Sequence, residues 1–391
     1  MESSLLFLLL CGSRMQEICR SKRKKVKILI DARTLGKRPS GVGMYLYNFI
    51  CGLMQYDTMK MELLTDVVES AAMKELDEAH IPIHRYGTPV EKSIGVYAYF
   101  RFVQNKINEV KPDLFWEVNN LTPVVIRNPY GKTAVTVHDV FPITAPYGYG
   151  RLYPYYFKWN LGKTLRHMDA VIYNSLDTKT QVEQYYPAAK ALPSCISYII
   201  TEERPSLPVC DEGYFLYIGN LEERKGTDLL LKAYVRYRKD GGTKKLYLAG
   251  KIRSDAIETL LGECQKETDG VCYQGYLETE EKYRMYAACS AFLFPSRAEG
   301  FGMPVIEALT YRKPVLVSDL PIFHEIAGDA VRYCKLDTED AVPQLAAAMR
   351  QIEEDGKESI PESLCEAVVG RYKKERLAGG LKEFLETIGK K

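Results

Sequence analysis

Several arrangements that would settle a function class at once are missing from this sequence. Its ten cysteines, at positions 11, 19, 51, 195, 210, 264, 272, 289, 334 and 365, form no C-x-x-C pair. None falls beside histidines at zinc-ligand spacing. A zinc module and a disulfide scaffold are both disfavoured, and the thiols read as small buried apolar groups in a reducing compartment. No D-x-D occurs, so the carboxylate pair that often holds a divalent ion is lacking. Charge of one sign is not in excess: 53 basic against 51 acidic residues give +2, which calls for no nucleic-acid partner. The N-terminal apolar run "LLFLLLC" (5–11) has seven residues, too few to span a bilayer. An acidic Glu2 precedes it and the basic "RSKRKK" follows it, the reverse of a secretory signal. Residues 1–24 therefore read as a disordered or non-native extension, with a weak membrane-contacting segment as the alternative.

What is present begins at Val26. "VKILIDAR" is a continuous apolar run of the kind buried on both faces of a sheet. "PSGVGMYLYNFICGLMQ" reads as a glycine loop followed by a helix. "DLFWEV" (113–118), "TAVTVHD" (133–139) and "DAVIYNS" (169–175) read as further strands, with a helix near 153–167. The stretch "TEERPSLPVCDEG" (201–213), with two prolines and no periodicity, is the best linker. Alternation restarts with "YFLYIGN" and continues through "TDLLLKAYVRYRK", "KLYLAGK", "DAIETLLGECQKE" and "AFLFPS". The closing "YKKERLAGGLKEFLETIGK" reads as a helix interrupted near Gly379 and Gly380. The class is α/β, with two parallel-sheet domains. The expected division is an N-terminal domain over 25–205, a C-terminal domain over 210–371, and a last helix, 372–391, packing back on the first.

One stretch carries chemistry. In "FPSRAEGFGMPVIEAL" (294–309), Glu299 and Glu307 flank seven residues that include Gly300, Gly302 and Pro304. The strand ends near Phe294, and Pro304 suits the first turn of a helix. Glu299 then sits in the loop and Glu307 about one turn into the helix. N–H groups near Gly302 and Met303 make an anion site at the helix start. Carboxylates accept hydrogen bonds from paired sugar hydroxyls. One could hold a hexose and the other a ribose, with a diphosphate between, the layout of a nucleotide sugar. Taken singly, each glutamate is also readable as a solvated loop or first-turn residue.

The stretch resembles the E-x7-E motif of the family-4 retaining glycosyltransferases, which have the GT-B fold of two Rossmann-like domains facing across a cleft. Four further segments resemble that family in the same order: "SGVGMYLYN", "TVHDVFPITAP", "GNLEERKGTDLLLKAY" and "KPVLVSDLPIFHEIAGDAVRY". The resemblance implies an acceptor-binding first domain and a nucleotide-sugar-binding second domain. It implies that Glu299 contacts the donor sugar, Glu307 the ribose, and Arg224 and Lys225 the diphosphate. It places His138 beside the sugar and the backbone of Phe301, Gly302 and Met303 against it. Gly41 and Gly43 would let the first loop approach the phosphate or acceptor, and Gly219 and Asn220 would end the phosphate strand. Asn220 departs from the arginine common there, which shifts phosphate binding onto Arg224 and Lys225.

The expected activity is hexosyl transfer with retention, with no cofactor and no metal. Fixed cations at Arg224 and Lys225 would do a metal's work on the leaving diphosphate. The favoured donor is GDP-mannose; UDP-glucose, UDP-N-acetylhexosamine and dTDP-rhamnose stay open. The acceptor would be a glycan or lipid-linked saccharide, and the setting cytoplasmic. A nucleotide-sugar-binding protein without turnover is the alternative in another class. A sugar phosphorylase or epimerase on the same fold is a third. Two stretches, "SIGVYAYFRFVQNKI" (93–107) and "GYGRLYPYYFKWNLGKTLRH" (148–167), mix aromatics with cations. Each reads either as a peripheral membrane contact or as a packed helix with a solvated basic face.

Overall fold

A computed structural model of the chain describes residues 25–36, 41–67, 69–90, 93–201, 204–356 and 361–390. The extension expected over 1–24, with Cys11 and Cys19, lies outside the described residues, as do residues 37–40 of the glycine loop and 202–203 of the linker. The other eight cysteines are free thiols; Cys264, Cys289, Cys334 and Cys365 are buried, while Cys210 is exposed.

Strands β1 (Val26–Asp31), β2 (Met59–Thr65), β3 (Ile83–Arg85), β4 (Leu114–Glu117), β5 (Lys132–Val137), β6 (Ala170–Tyr173) and β7 (Ser194–Ile196) form one sheet in the order β3-β2-β1-β4-β5-β6-β7. Strands β8 (Tyr214–Ile218), β9 (Lys245–Ala249), β10 (Val271–Gly275), β11 (Ala291–Phe294), β12 (Val315–Ser318) and β13 (Arg332–Cys334) form the other, in the order β10-β9-β8-β11-β12-β13. Within the second sheet each neighbouring pair is parallel. Parallel neighbours need crossovers, and helices supply them, so strands such as β11 and β12 are buried along their whole length.

Two compact units divide the chain. One comprises the described parts of Met1–Val118 with Ile126–Ala134 and Lys382–Lys391; the other comprises Asn119–Val125 and Val135–Leu381. In the first, Thr58 Oγ1 donates to Glu386 Oε1 at 2.5 Å, which ties the end of the chain to the turn before β2. The described part of the linker, 204–213, carries neither helix nor strand.

Two expectations change. The last helix, Lys374–Gly389, runs unbroken through Gly379 and Gly380. Two glycines cost roughly 2 kcal/mol of helix propensity. Burial of Ala378, Leu381, Leu385 and Ile388, spaced three and four apart, outweighs it. Gly41 and Gly43 are not in a loop: they open the helix Gly41–Leu53, and Gly43 is buried.

Candidate active site

Sheet order places the site in the second unit. Strand β8 lies between β9 and β11, so the chain winds one way from β8 and the other way from β11. The loops leaving the carboxyl ends of these two strands are neighbours at a topological switch point, where open α/β sheets bind ligands. The β8 loop carries Gly219, Asn220, Arg224 and Lys225; the β11 loop carries Glu299.

Backbone contacts lock the two loops together. Gly226, with φ of 68°, closes the short 3-10 turn Glu223–Lys225. A Cβ there would lie 1.9 Å from the Pro295 carbonyl oxygen, so only glycine fits this approach. The Arg297 N–H donates to the Arg224 carbonyl at 2.8 Å. The Arg297 guanidinium grips Asp228 through two bonds of 2.6 and 2.8 Å.

This frame presents a carboxylate between cations. Lys225 Nζ lies 2.5 Å from Glu299 Oε1, and Ser296 Oγ donates to the same oxygen at 2.7 Å. Lys225 also sits over the Phe294 ring. Arg224 donates to the Ala298 carbonyl at 3.0 Å, pairs with Glu222 at 2.6 Å, and stacks over Phe141. Asn220 is exposed, and its carbonyl accepts from the Tyr217 hydroxyl at 2.8 Å.

His138 joins the same cluster. It follows β5 directly, is 5% exposed, and its backbone N–H donates to Asn120 Oδ1 at 2.7 Å. Its carbonyl lies where Gly300 would carry a side chain, 2.6 Å from that Cβ position. The His138 and Glu299 loops therefore touch backbone to backbone. Burial pushes the Asp139 carboxyl above the usual aspartate range. The Phe141 N–H and the charges of Arg224 and Lys225 pull the other way, and Glu299 adds to the rise.

Glu307 anchors a second cluster. Gly302, with φ of 93°, caps the helix Met303–Thr310, and Pro304 lies in its first turn. Glu307 sits one turn in and is buried. Lys282 Nζ reaches Oε1 at 3.1 Å, Arg204 Nη2 approaches it at 3.6 Å, and the Tyr286 hydroxyl donates to Oε2 at 3.0 Å. Burial, then the Glu307 charge, pushes the Tyr286 pKa well up, so the phenol stays a donor.

The structure thus gathers Glu299, Lys225, Arg224 and His138, with Gly219 and Asn220 at the root of the same loop. Glu307 has its own partners. The Phe301 ring turns into the core against Tyr198 and Tyr372, which leaves only its backbone for a ligand. Met303 is half-buried at the helix start. Gly41 and Gly43 belong to the other unit. Sequence reading missed Arg204, Lys282, Tyr286 and Ser296, and the Arg297–Asp228 clamp. Ser296 and Arg297 lie inside the quoted E-x7-E stretch and Asp228 inside the quoted segment after β8, so these three carried a local signal; Arg204, Lys282 and Tyr286 did not.

Comparison with known proteins follows the same lines. The family model described as Glycosyltransferase Family 4 matches residues 39–197, and that for Glycosyl transferases group 1 matches 200–366. The chain is 27% identical to the O-antigen chain mannosyltransferase B of Escherichia coli, over 59% of this chain and 63% of that protein. It is 22% identical to the O-antigen chain mannosyltransferase RfbU of Salmonella typhimurium, over 80% of this chain and 88% of that one. In fold it resembles sucrose-phosphate synthase of Thermosynechococcus elongatus, with a TM-score of 0.74 at 16% identity, covering 93% of this chain and 99% of that one. It also resembles HepE of Anabaena, solved with UDP and glucose, with a TM-score of 0.67 at 18% identity, covering 93% of this chain and 100% of that one. Two parallel sheets in this order, the E-x7-E stretch on the second, and family models matching on both sides of the linker lead to one conclusion: the chain belongs to the family-4, group 1 glycosyltransferases, with the GT-B fold.

Proposed function

We propose that the protein transfers a hexose from a nucleotide sugar, with GDP-mannose the favoured donor, to a glycan or lipid-linked saccharide in polysaccharide biosynthesis. The transfer retains anomeric configuration, uses no metal ion, and takes place in the cytoplasm. The observation that carries the reading is the Glu299–Lys225 pair beside Arg224 at the switch point. The mannosyltransferase relatives support the donor.

Lys225 neutralises Glu299. An arriving diphosphate competes for that ammonium and for Arg224, which frees Glu299 to accept sugar hydroxyls. The ion pair is exchanged rather than broken, so neither charge is left bare. Negative charge building on the leaving diphosphate then meets two fixed cations and the helix start at Met303. His138, whose backbone is held by Asn120, supplies an imidazole to the sugar hydroxyls. Glu307 takes the ribose hydroxyls, and Lys282 and Tyr286 orient its carboxylate. The departing phosphate assists deprotonation of the acceptor in a front-side displacement. A sugar trapped covalently on the enzyme during normal turnover would refute that step.

A UDP-linked hexose is the second reading, favoured by the UDP and glucose in the HepE structure. Thermal shift and slow hydrolysis with GDP-mannose, UDP-glucose, UDP-N-acetylglucosamine and dTDP-rhamnose, each with and without EDTA, decide between them. Stabilisation and hydrolysis by one donor despite EDTA support transfer without metal. Stabilisation with no turnover, even with saccharide acceptors, would favour a binding protein.

A further inference from the structure

The helix Tyr153–His167 leaves one face that the site does not use. At 3.6 residues per turn, Leu152, Tyr155, Tyr156, Trp159, Lys163 and Arg166 fall within an arc of about 100°. The opposite face, with Phe157, Leu161 and Leu165, is buried. On the open arc Leu152 is 81% exposed, Tyr155 75% and Trp159 61%. The turn before the helix adds exposed Tyr147 and Tyr149, the latter stacked on Tyr153. The other aromatic stretch behaves differently: Tyr99, Phe100, Val103 and Ile107 of Ser93–Val110 are core residues.

Charge on this segment is of one sign. From Val140 to Met168 the chain has no Asp or Glu, but it has Arg151, Lys158, Lys163 and Arg166. Lys158 lies over the Tyr185 ring, and Lys163 lies over the Trp159 ring and donates to the Pro123 carbonyl at 2.9 Å, whereas Arg151 and Arg166 are exposed and not ion-paired among the described residues. Amphipathic aromatic rings beside the exposed Arg151 and Arg166 suit the headgroup layer of a bilayer. A second copy of the same face would set cations against cations. We infer that this face docks on an anionic lipid surface, with Tyr155, Tyr156 and Trp159 at the headgroups and Arg151 and Arg166 on lipid phosphates. The inference does not depend on the identity of the donor.

The test exploits the two tryptophans. Trp116 is fully buried, so a change in emission or in acrylamide quenching on adding vesicles reports Trp159. Full-length protein is mixed with phosphatidylcholine vesicles, or with vesicles containing phosphatidylglycerol as well, and sedimented. The expected result is binding to the anionic vesicles only, weakened by salt, with Trp159 blue-shifted and shielded. Each cation near the surface is worth about fivefold in partitioning, so R151A/R166A binds roughly 25-fold more weakly. Both residues are exposed, so that variant folds as the parent does, which circular dichroism verifies. Three outcomes would overturn the inference: no vesicle binding, binding with Trp159 emission unchanged, or Trp159 already shielded by self-association without lipid.

Discussion

Replacing Lys225 by methionine keeps a side chain of similar length over the Phe294 ring and removes the ammonium that holds Glu299. The pair is close and shielded, with Lys225 15% and Glu299 7% exposed. At an effective dielectric constant of about 20, charges that near attract by roughly 6 kcal/mol, and desolvation of both ions consumes most of it. Removing one partner of a fully buried pair costs about 3–5 kcal/mol. Here the Ser296 hydroxyl still donates to the carboxylate, and K225M is expected to lose about 2–3 kcal/mol. E299Q leaves the more solvated ion behind and should lose about 1–2 kcal/mol. The double variant should fall short of the sum by about 2 kcal/mol, the coupling of the pair. Urea unfolding of the four proteins, with and without donor, measures this. Donor should stabilise the parent more than K225M, because Lys225 is where the diphosphate replaces Glu299. Additive losses, or hexosyl transfer by K225M at the parental rate, would refute the reasoning.

G226A forces a side chain into a left-handed position facing the Pro295 carbonyl, and a loss of roughly 3 kcal/mol should appear as a lowered Tm. E307Q weakens the grip on the ribose hydroxyls, so donor affinity read by thermal shift should fall roughly tenfold, and Y286F should do the same more mildly. Asp139 sets a pH dependence. Its carboxyl is raised by burial, so the folded chain binds that proton more tightly than the unfolded chain does. Stability is therefore lost as pH rises from the ordinary aspartate value of about 4 through the raised one. D139N, which keeps an acceptor for the Phe141 N–H, should flatten that decline in unfolding curves across the window; an unchanged slope would assign the effect to another group.

Legibility followed the reach of each signal. Helices of the second unit, such as Thr227–Lys239 and Asp255–Glu267, show in the apolar spacing because each buries one face on a sheet. Strand β2 does not show. Its sequence "MKMELLT" carries Lys60 and Glu62, and the buried Glu62 is satisfied by His84 at 2.9 Å on β3 and Lys27 at 3.4 Å on β1. Charge neutralised by a neighbouring strand is invisible to a single-strand pattern. The same holds at the site. Glu299, Arg224 and Lys225 lie in loops whose composition marks them. Arg204, Lys282 and Tyr286 reach Glu307 from a linker and a helix far off in sequence, so only the folded arrangement reveals them.

The seven residues between the glutamates act as a phase setting. Gly300 must lack a side chain because the His138 carbonyl occupies its place, and Gly302 must turn left-handed with Phe323 2.8 Å from where its Cβ would be. Those two contacts fix where the helix begins, and the helix then fixes which way Glu307 points. One residue added between Gly302 and Glu307 would rotate the carboxylate about 100° around the axis, away from Lys282 and Tyr286. The chain can vary the chemistry on either side of the loop, but it cannot vary the count.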